Sequence, residues 1–104
     1  MIVTTSGEIQ GKTINRTIGL VKGSTIRARH LGRDIMAGLR GMVGGEITEY
    51  TKMMAQAREE ALQRMIDDAE QQGANAVVSM RFGTSMVMQN AAEVVAYGTA
   101  VIVE

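Results

Sequence analysis

The stretch Glu46 to Gln72, EITEYTKMMAQAREEALQRMIDDAEQQ, decides how the rest of the chain is read. Ile47, Tyr50, Met54, Ala57, Ala61, Met65 and Ala69 recur at steps of three and four, which places them on one face of a long α-helix. Met53, Leu62 and Ile66 widen that face, so the helix is expected to be covered on more than one side. Glu46 and Glu49 lie in the first turns, where carboxylates suit the positive end of the helix dipole. Glu60–Arg64 and Arg64–Asp68 are spaced i,i+4, each pair stabilising by about 0.3 kcal/mol. Gly73 follows as a residue free to take the left-handed conformation that ends a helix.

On either side of this helix the pattern is extended. Ile2 to Thr5 reads as a short strand that Ser6-Gly7 breaks. Lys12 to Ala28 reads as a long strand, with Ile14, Ile18, Leu20 and Ile26 on one parity and Asn15, Thr17 and Thr25 on the other. Gly19 and Gly23 mark a bulge or bend within it. His30 to Val43 reads as a short helix or helical loop, weakened by Gly32, Gly38 and Gly41. Ala76 to Met88 and Val94 to Val103 read as two antiparallel strands joined by a turn over Gln89 to Glu93. In the last strand Ala96, Gly98 and Ala100 share a face, and side chains so small imply a closely packed backbone against them. The expected fold is therefore α+β: a mostly antiparallel sheet packed on one long helix, in a single domain spanning residues 1–104.

The totals narrow the function classes. Lys plus Arg equals Asp plus Glu at 11 each, without the basic surplus that nucleic-acid binding uses, so no nucleic-acid partner is expected. The absence of cysteine excludes disulfides, thiolate metal sites and a cysteine nucleophile. The opening MIVTTSGEIQGKT lacks a basic region followed by an apolar run, and no stretch matches a membrane span. A soluble cytoplasmic protein without a membrane partner is the expectation.

The glycine-rich stretch Gly38 to Ile47, GLRGMVGGEI, invites a phosphate-loop reading. A Walker loop needs Lys-Ser/Thr after its glycines, and Glu46-Ile47 follows instead. A dinucleotide fingerprint needs a parallel βαβ unit, and none is read here. Gly44 and Gly45 are therefore read as a hinge leading into the helix and as the rim of a ligand site for a neutral or cationic molecule.

That run, extended as GLRGMVGGEITEYTKMMAQAREEAL and followed by GANAVVSMRF and VAYGTAVIV, resembles the YbjQ-like family over nearly the whole chain. Val43-Gly44-Gly45-Glu46 with Tyr50 one turn on carries most of the resemblance, and Gly73 to Val78 is a second anchor. The resemblance implies a subunit related to dodecin-like proteins that assembles into a homopentameric ring, helices outside and strands inside. It also implies a heavy-metal-binding label without an established activity.

The residues test that label. Soft metals favour thiolate, and imidazole serves zinc, copper and nickel, yet the chain offers no cysteine and only His30. His30 is the one weak metal candidate, and five copies around an axis would be needed to gather a site. The nine methionines, Met86-x-Met88 included, read as core or interface fillers rather than thioether ligands. Arg27, Arg29 and the nearby Arg33 form a basic cluster that suits an anion, though inter-subunit ion pairs or a solvated edge account for it more simply. Glu46 and Tyr50 share a helix face and fit a single ligand, but no second carboxylate or base completes an acid/base couple. Serines at 6, 24, 79 and 85 with one histidine form no recognisable triad.

We therefore read a non-enzymatic, cytoplasmic homo-oligomer without a cofactor, a pentamer by the family resemblance alone, holding a small ligand or ion at its subunit interfaces. The alternatives are a metal-binding protein whose ligands are shared across subunits, and an enzyme with an interfacial site near Glu46 and Tyr50.

Overall fold

The computed structural model of the chain describes residues 1–28, 45–88 and 91–104, with side chains at 1–27, 51–86 and 91–104. Its elements are β1 (Ile2–Val3), β2 (Ile14–Ala28), α1 (Gly45–Gln71), β3 (Ala76–Met88) and β4 (Ala91–Val103). They form a four-stranded mixed sheet in the order β1-β3-β4-β2, with α1 packed across it. β3 and β4 make the expected antiparallel hairpin, and β4 also pairs antiparallel with β2, placing Ile14 beside Val103. β1 adds the only parallel pairing among the described residues, Ile2 to Ala76 and Val3 to Val77. The fold class read from the sequence is thus the observed one.

The helix runs as its periodicity predicts. Ala57, Ala61, Met65 and Ala69 are fully buried, and Met54, Leu62 and Ile66 pack partly buried around them. The same core takes Val21 from β2, Val77 and Met80 from β3, and Val94, Ala96 and Ala100 from β4. Ile47 and Tyr50, at the start of the apolar face, have side chains outside the described residues. At the other end Gly73 has φ 88°, its N–H bonds the Glu70 carbonyl at 3.0 Å, and the Ala74 N–H bonds the Ala69 carbonyl at 3.0 Å. These two bonds are a Schellman cap, for which the glycine supplies the left-handed step.

Three local expectations change. Gly19 does mark an irregularity, with φ 141° and a register shift beside Thr17. Gly23 does not: its ladder runs on unbroken, and a Cβ built there would lie 2.3 Å from the Met65 amide nitrogen and 2.4 Å from the Ala61 carbonyl oxygen. That glycine lets the helix backbone rest directly on the strand. Beyond the Gly19 irregularity the faces are set by Val21, Gly23 and Thr25, which turn to the helix, while Leu20 and Ile26 stand exposed on the other side. Finally, Met88 pairs with Ala91, so Ala91, Ala92 and Glu93 belong to β4 and not to the turn, because the ladder and the burial of Ala91 and Val94 carry on to that point. The helical reading of His30 to Val43 falls outside the described residues, as do Gln89 and Asn90.

β3 carries an irregularity that the alternation of Ser79, Met80, Arg81 and Phe82 did not signal. Its register slips between Val78 and Arg81, and Ser79 has φ 55°. The bulge turns the N–H groups of Ser79 and Met80 to the carbonyls of Ser6 (2.8 Å) and Thr4 (3.0 Å), binding the segment that follows β1. It is also the close backbone implied by the small face of β4: a Cβ at Gly98 would meet Val77 Cγ1 at 2.7 Å and Met80 Cα at 3.3 Å. On the sheet face away from the helix, Ala76, Val78, Val101 and Val103 form a smaller core closed by Ile9.

Candidate functional site

The basic cluster read from the sequence is described at Arg27 alone; Arg29, His30, Arg33 and Gly44 lie outside the described residues. Arg27 sits near the end of β2 and forms an ion pair with Glu60 of α1. Glu60 also pairs with Arg64 one turn on, at 3.2 Å, as the i,i+4 spacing predicts. Arg64 does not continue to Asp68. Its Nη1 donates instead to the Ser24 carbonyl at 2.6 Å, while Asp68 Oδ2 accepts the Lys22 N–H at 3.3 Å. The reason is geometric: α1 crosses β2 so closely at Gly23 that both side chains reach the strand's outer backbone groups before they reach each other. Thr25, the one buried polar side chain among the described residues, donates to the Ala57 carbonyl at 3.1 Å.

The arrangement sets what Arg27 can do. Its Nε is buried without a hydrogen-bond partner, and its guanidinium head already faces a carboxylate. An incoming anion would compete with Glu60 for the same fork. Both side chains keep substantial exposure, 32% for Arg27 and 45% for Glu60, so water screens the pair and it stabilises by at most about 1 kcal/mol.

The glycine hinge is described at one position: Gly45 is the first residue of α1. The side chains of Glu46 and Tyr50 lie outside the described residues. Among the described residues no three of His, Cys, Asp and Glu come together in a way that would hold a metal ion. With no cysteine and one histidine in the chain, the described donors do not fit a heavy metal. An open hollow of about 480 Å³ lies at the segment after β1, lined by Ser6, Glu8, Ile9, Gln10, Gly11 and Lys12, and includes none of the residues singled out in the sequence. No helix among the described residues is long and apolar enough to cross a membrane.

The residues that sequence reasoning missed are those joining α1 to the edge of β2: Asp68 with Lys22, and Arg64 with Ser24. A signal was present. A glycine within a strand and alanines at 57, 61 and 69 on a helix are complementary small surfaces, and helix side chains that flank such a contact reach past the strand.

Comparison with known proteins agrees with this fold. The family profile described as "Putative heavy-metal-binding", that of the YbjQ family, matches residues 1–104. A UPF0145 protein of Methanosarcina acetivorans is 61% identical, covering 97% of this chain and 95% of its own length. One from Dehalococcoides mccartyi is 62% identical over the full length of both, and one from Clostridioides difficile is 51% identical over all of this chain and 93% of its own. Among solved structures, a protein of unknown function from Pediococcus pentosaceus, assigned to the DUF74 family, superposes with a TM-score of 0.65 at 21% identity, covering 100% of this chain and 98% of the other. That likeness speaks for the shared α+β fold. By a profile match over its entire length and relatives above 60% identity, the chain belongs to the YbjQ family.

Proposed function

We propose that this protein works as a homo-oligomeric, non-enzymatic assembly, a cytoplasmic homopentamer in keeping with the family resemblance, that holds a small ligand or ion where subunits meet. The observation that carries this reading is the apolar surface left bare on an elongated subunit. Leu20 is 67% exposed and Ile26 61% exposed on the sheet face away from the helix, and Tyr97, which pairs with Lys22 between them, is exposed as well. The Cα radius of gyration is 17.2 Å, with extents of 55 × 23 × 16 Å, against about 13 Å for a compact chain of this length. A small domain buries a modest share of its surface, and contact between subunits supplies the remainder.

The ligand residues in this reading are Arg27 and Arg29 for an anion, and Gly44, Gly45, Glu46 and Tyr50 for a neutral or cationic group. The family description supports a second reading, metal binding with ligands shared across subunits. His30 is then the residue to bring copies together, since the described donors of one chain do not suffice. An enzyme with an interfacial site near Glu46 and Tyr50 is the third reading, and the lack of an acid/base couple weighs against it.

Native mass spectrometry of untagged protein purified without chelator separates these readings. Five subunits without added mass is the outcome expected for the assembly alone. A pentamer with a fixed extra mass that His30→Ala removes would favour the metal reading. A mass that Tyr50→Phe removes would favour a ligand or substrate at that site. A monomer would overturn the assembly.

A further inference from the structure

We propose that the sheet face away from the helix holds a small aromatic phosphate, a planar ring carrying a phosphate dianion, on a row formed by Lys22, Tyr97 and Arg81. The seat lies within one subunit and uses none of the ligand residues of the assembly reading, so the two can fail separately. Lys22 of β2 and Arg81 of β3 both pair with Tyr97 of β4, one on each side. Val21, Met80 and Ala96, their neighbours in sequence, belong to the core under α1, so strand alternation turns the three side chains of the row to the opposite face. Strands lie about 4.8 Å apart, which sets a cation on either side of the ring within reach of one small molecule. Tyr97 is 40% exposed, and Lys22 and Arg81 are exposed as well.

The charge around the row has one sign. β2 and β3 have no carboxylate along their whole length. Glu93, the one carboxylate of β4, is four residues from Tyr97, about 13 Å along the strand. Among the described residues neither Lys22 nor Arg81 forms an ion pair. Arg81 Nη1 donates to the carbonyls of Thr5 and Met80, each at 2.8 Å. Those bonds hold the guanidinium in place and leave its Nε and Nη2 side, a planar fork that matches two oxygens of a phosphate. Two cations complement the near-double charge of a phosphate monoester. Room for the ring comes from Gly83, the next residue of β3 on this face. A Cβ there would meet only Val95 Cγ1 at 3.3 Å and Tyr97 Cε1 at 3.9 Å, so the sheet is bare beside the tyrosine ring. An aromatic group can lie there against Tyr97, the contact by which exposed aromatic residues on sheets take planar ligands.

Calorimetric titration of the untagged protein with phenyl phosphate, inorganic phosphate and phenol tests the site. Phenyl phosphate is expected to bind saturably and about tenfold more tightly than inorganic phosphate, the difference being the ring contact. Phenol, without the charge, is expected to bind more weakly than phenyl phosphate. Tyr97→Leu should erase the preference for the ring and Tyr97→Phe should keep it. Gly83→Ala should weaken phenyl phosphate alone. Lys22→Gln, at a side chain that packs in no core, should weaken both phosphates about tenfold, whereas Arg58→Gln, exposed on α1, should leave them unchanged. No saturable binding, a ring preference that survives Tyr97→Leu, or an equal loss with Arg58→Gln would overturn the proposal. Sedimentation of the same samples separates the two levels. An oligomer that binds neither phosphate sinks this site alone, and a monomer that binds phenyl phosphate with the expected variant pattern sinks the assembly alone.

Discussion

Beyond the short reach of β1 the described sheet has two edges, one on β2 and one on β3, and they are treated in opposite ways. The edge of β2 is occupied by its own helix: Asp68 takes the Lys22 N–H, Arg64 binds the Ser24 carbonyl, and Glu60 pairs with Arg27. The edge of β3 beyond Arg81 has no such cover among the described residues and no charge of its own through Met88. The difference traces to one residue. Gly23 admits the helix backbone onto β2, and once there the helix side chains reach the strand's free groups. β3 has Gly83 at the matching level, opposite Val95 as Gly23 is opposite Ala96, but the helix axis lies over β2. A strand edge is thus satisfied by whatever backbone passes close enough, and proximity is set by side-chain size.

Substitutions can break this contrast, beginning with the contact that creates it. Gly23→Ala places a methyl group 2.3 Å from a helix amide nitrogen, and since backbone cannot yield as a side-chain tip does, the helix must lift from β2. The expected loss is about 3 kcal/mol, read as a lower urea midpoint at unchanged slope. Thr25→Val keeps the shape but removes the hydroxyl that reaches Ala57, costing about 1 kcal/mol in the same titration. Asp68→Ala frees the Lys22 N–H at an exposed position where water replaces the carboxylate. The expected cost is about 0.5–1 kcal/mol, and faster amide exchange at Lys22 is the more direct measurement. Glu60→Gln weakens two exposed ion pairs and should cost about 0.5 kcal/mol at low salt, fading near 1 M sodium chloride as screening takes over.

Much of the fold was legible because periodicity reports burial directly. The run Ala57, Ala61, Met65, Ala69 faces the core as its spacing predicts, and Gly73 ends the helix as a glycine in that position should. What escaped were features set by pairs of distant residues. Gly23 reads as a bend in isolation, and only the helix above it shows that it is a contact point. Ser79 carries no mark of a left-handed backbone; the two carbonyls that hold the bulge belong to residues 4 and 6, far away in the chain. Arg64 and Asp68 read as partners from their spacing, yet each finds a nearer group on β2. For the candidate site, the sequence supplies residue types without saying which meet. Arg27 reads from the sequence as a candidate anion-binding residue that ion pairing explains more simply, and its partner Glu60, 33 positions on, is marked there only for its pairing within the helix.

The pairing of Ile14 with Val103 has a consequence for synthesis. β2 leaves the ribosome early, and β4, the strand that completes its ladder, is made last. At roughly 5–20 residues per second, the interval is on the order of 5–20 s. Throughout it β2 is a long, half-apolar segment without its neighbour. Its sequence, INRTIGLVKGSTIRA, carries Arg16, Lys22 and Arg27 and no carboxylate. Nascent chains on one polysome therefore present like charges to one another along this segment, which opposes premature pairing between them. The hairpin of β3 and β4 faces no such wait, since its strands are made in succession, and it can remain uncharged along FGTSMVM.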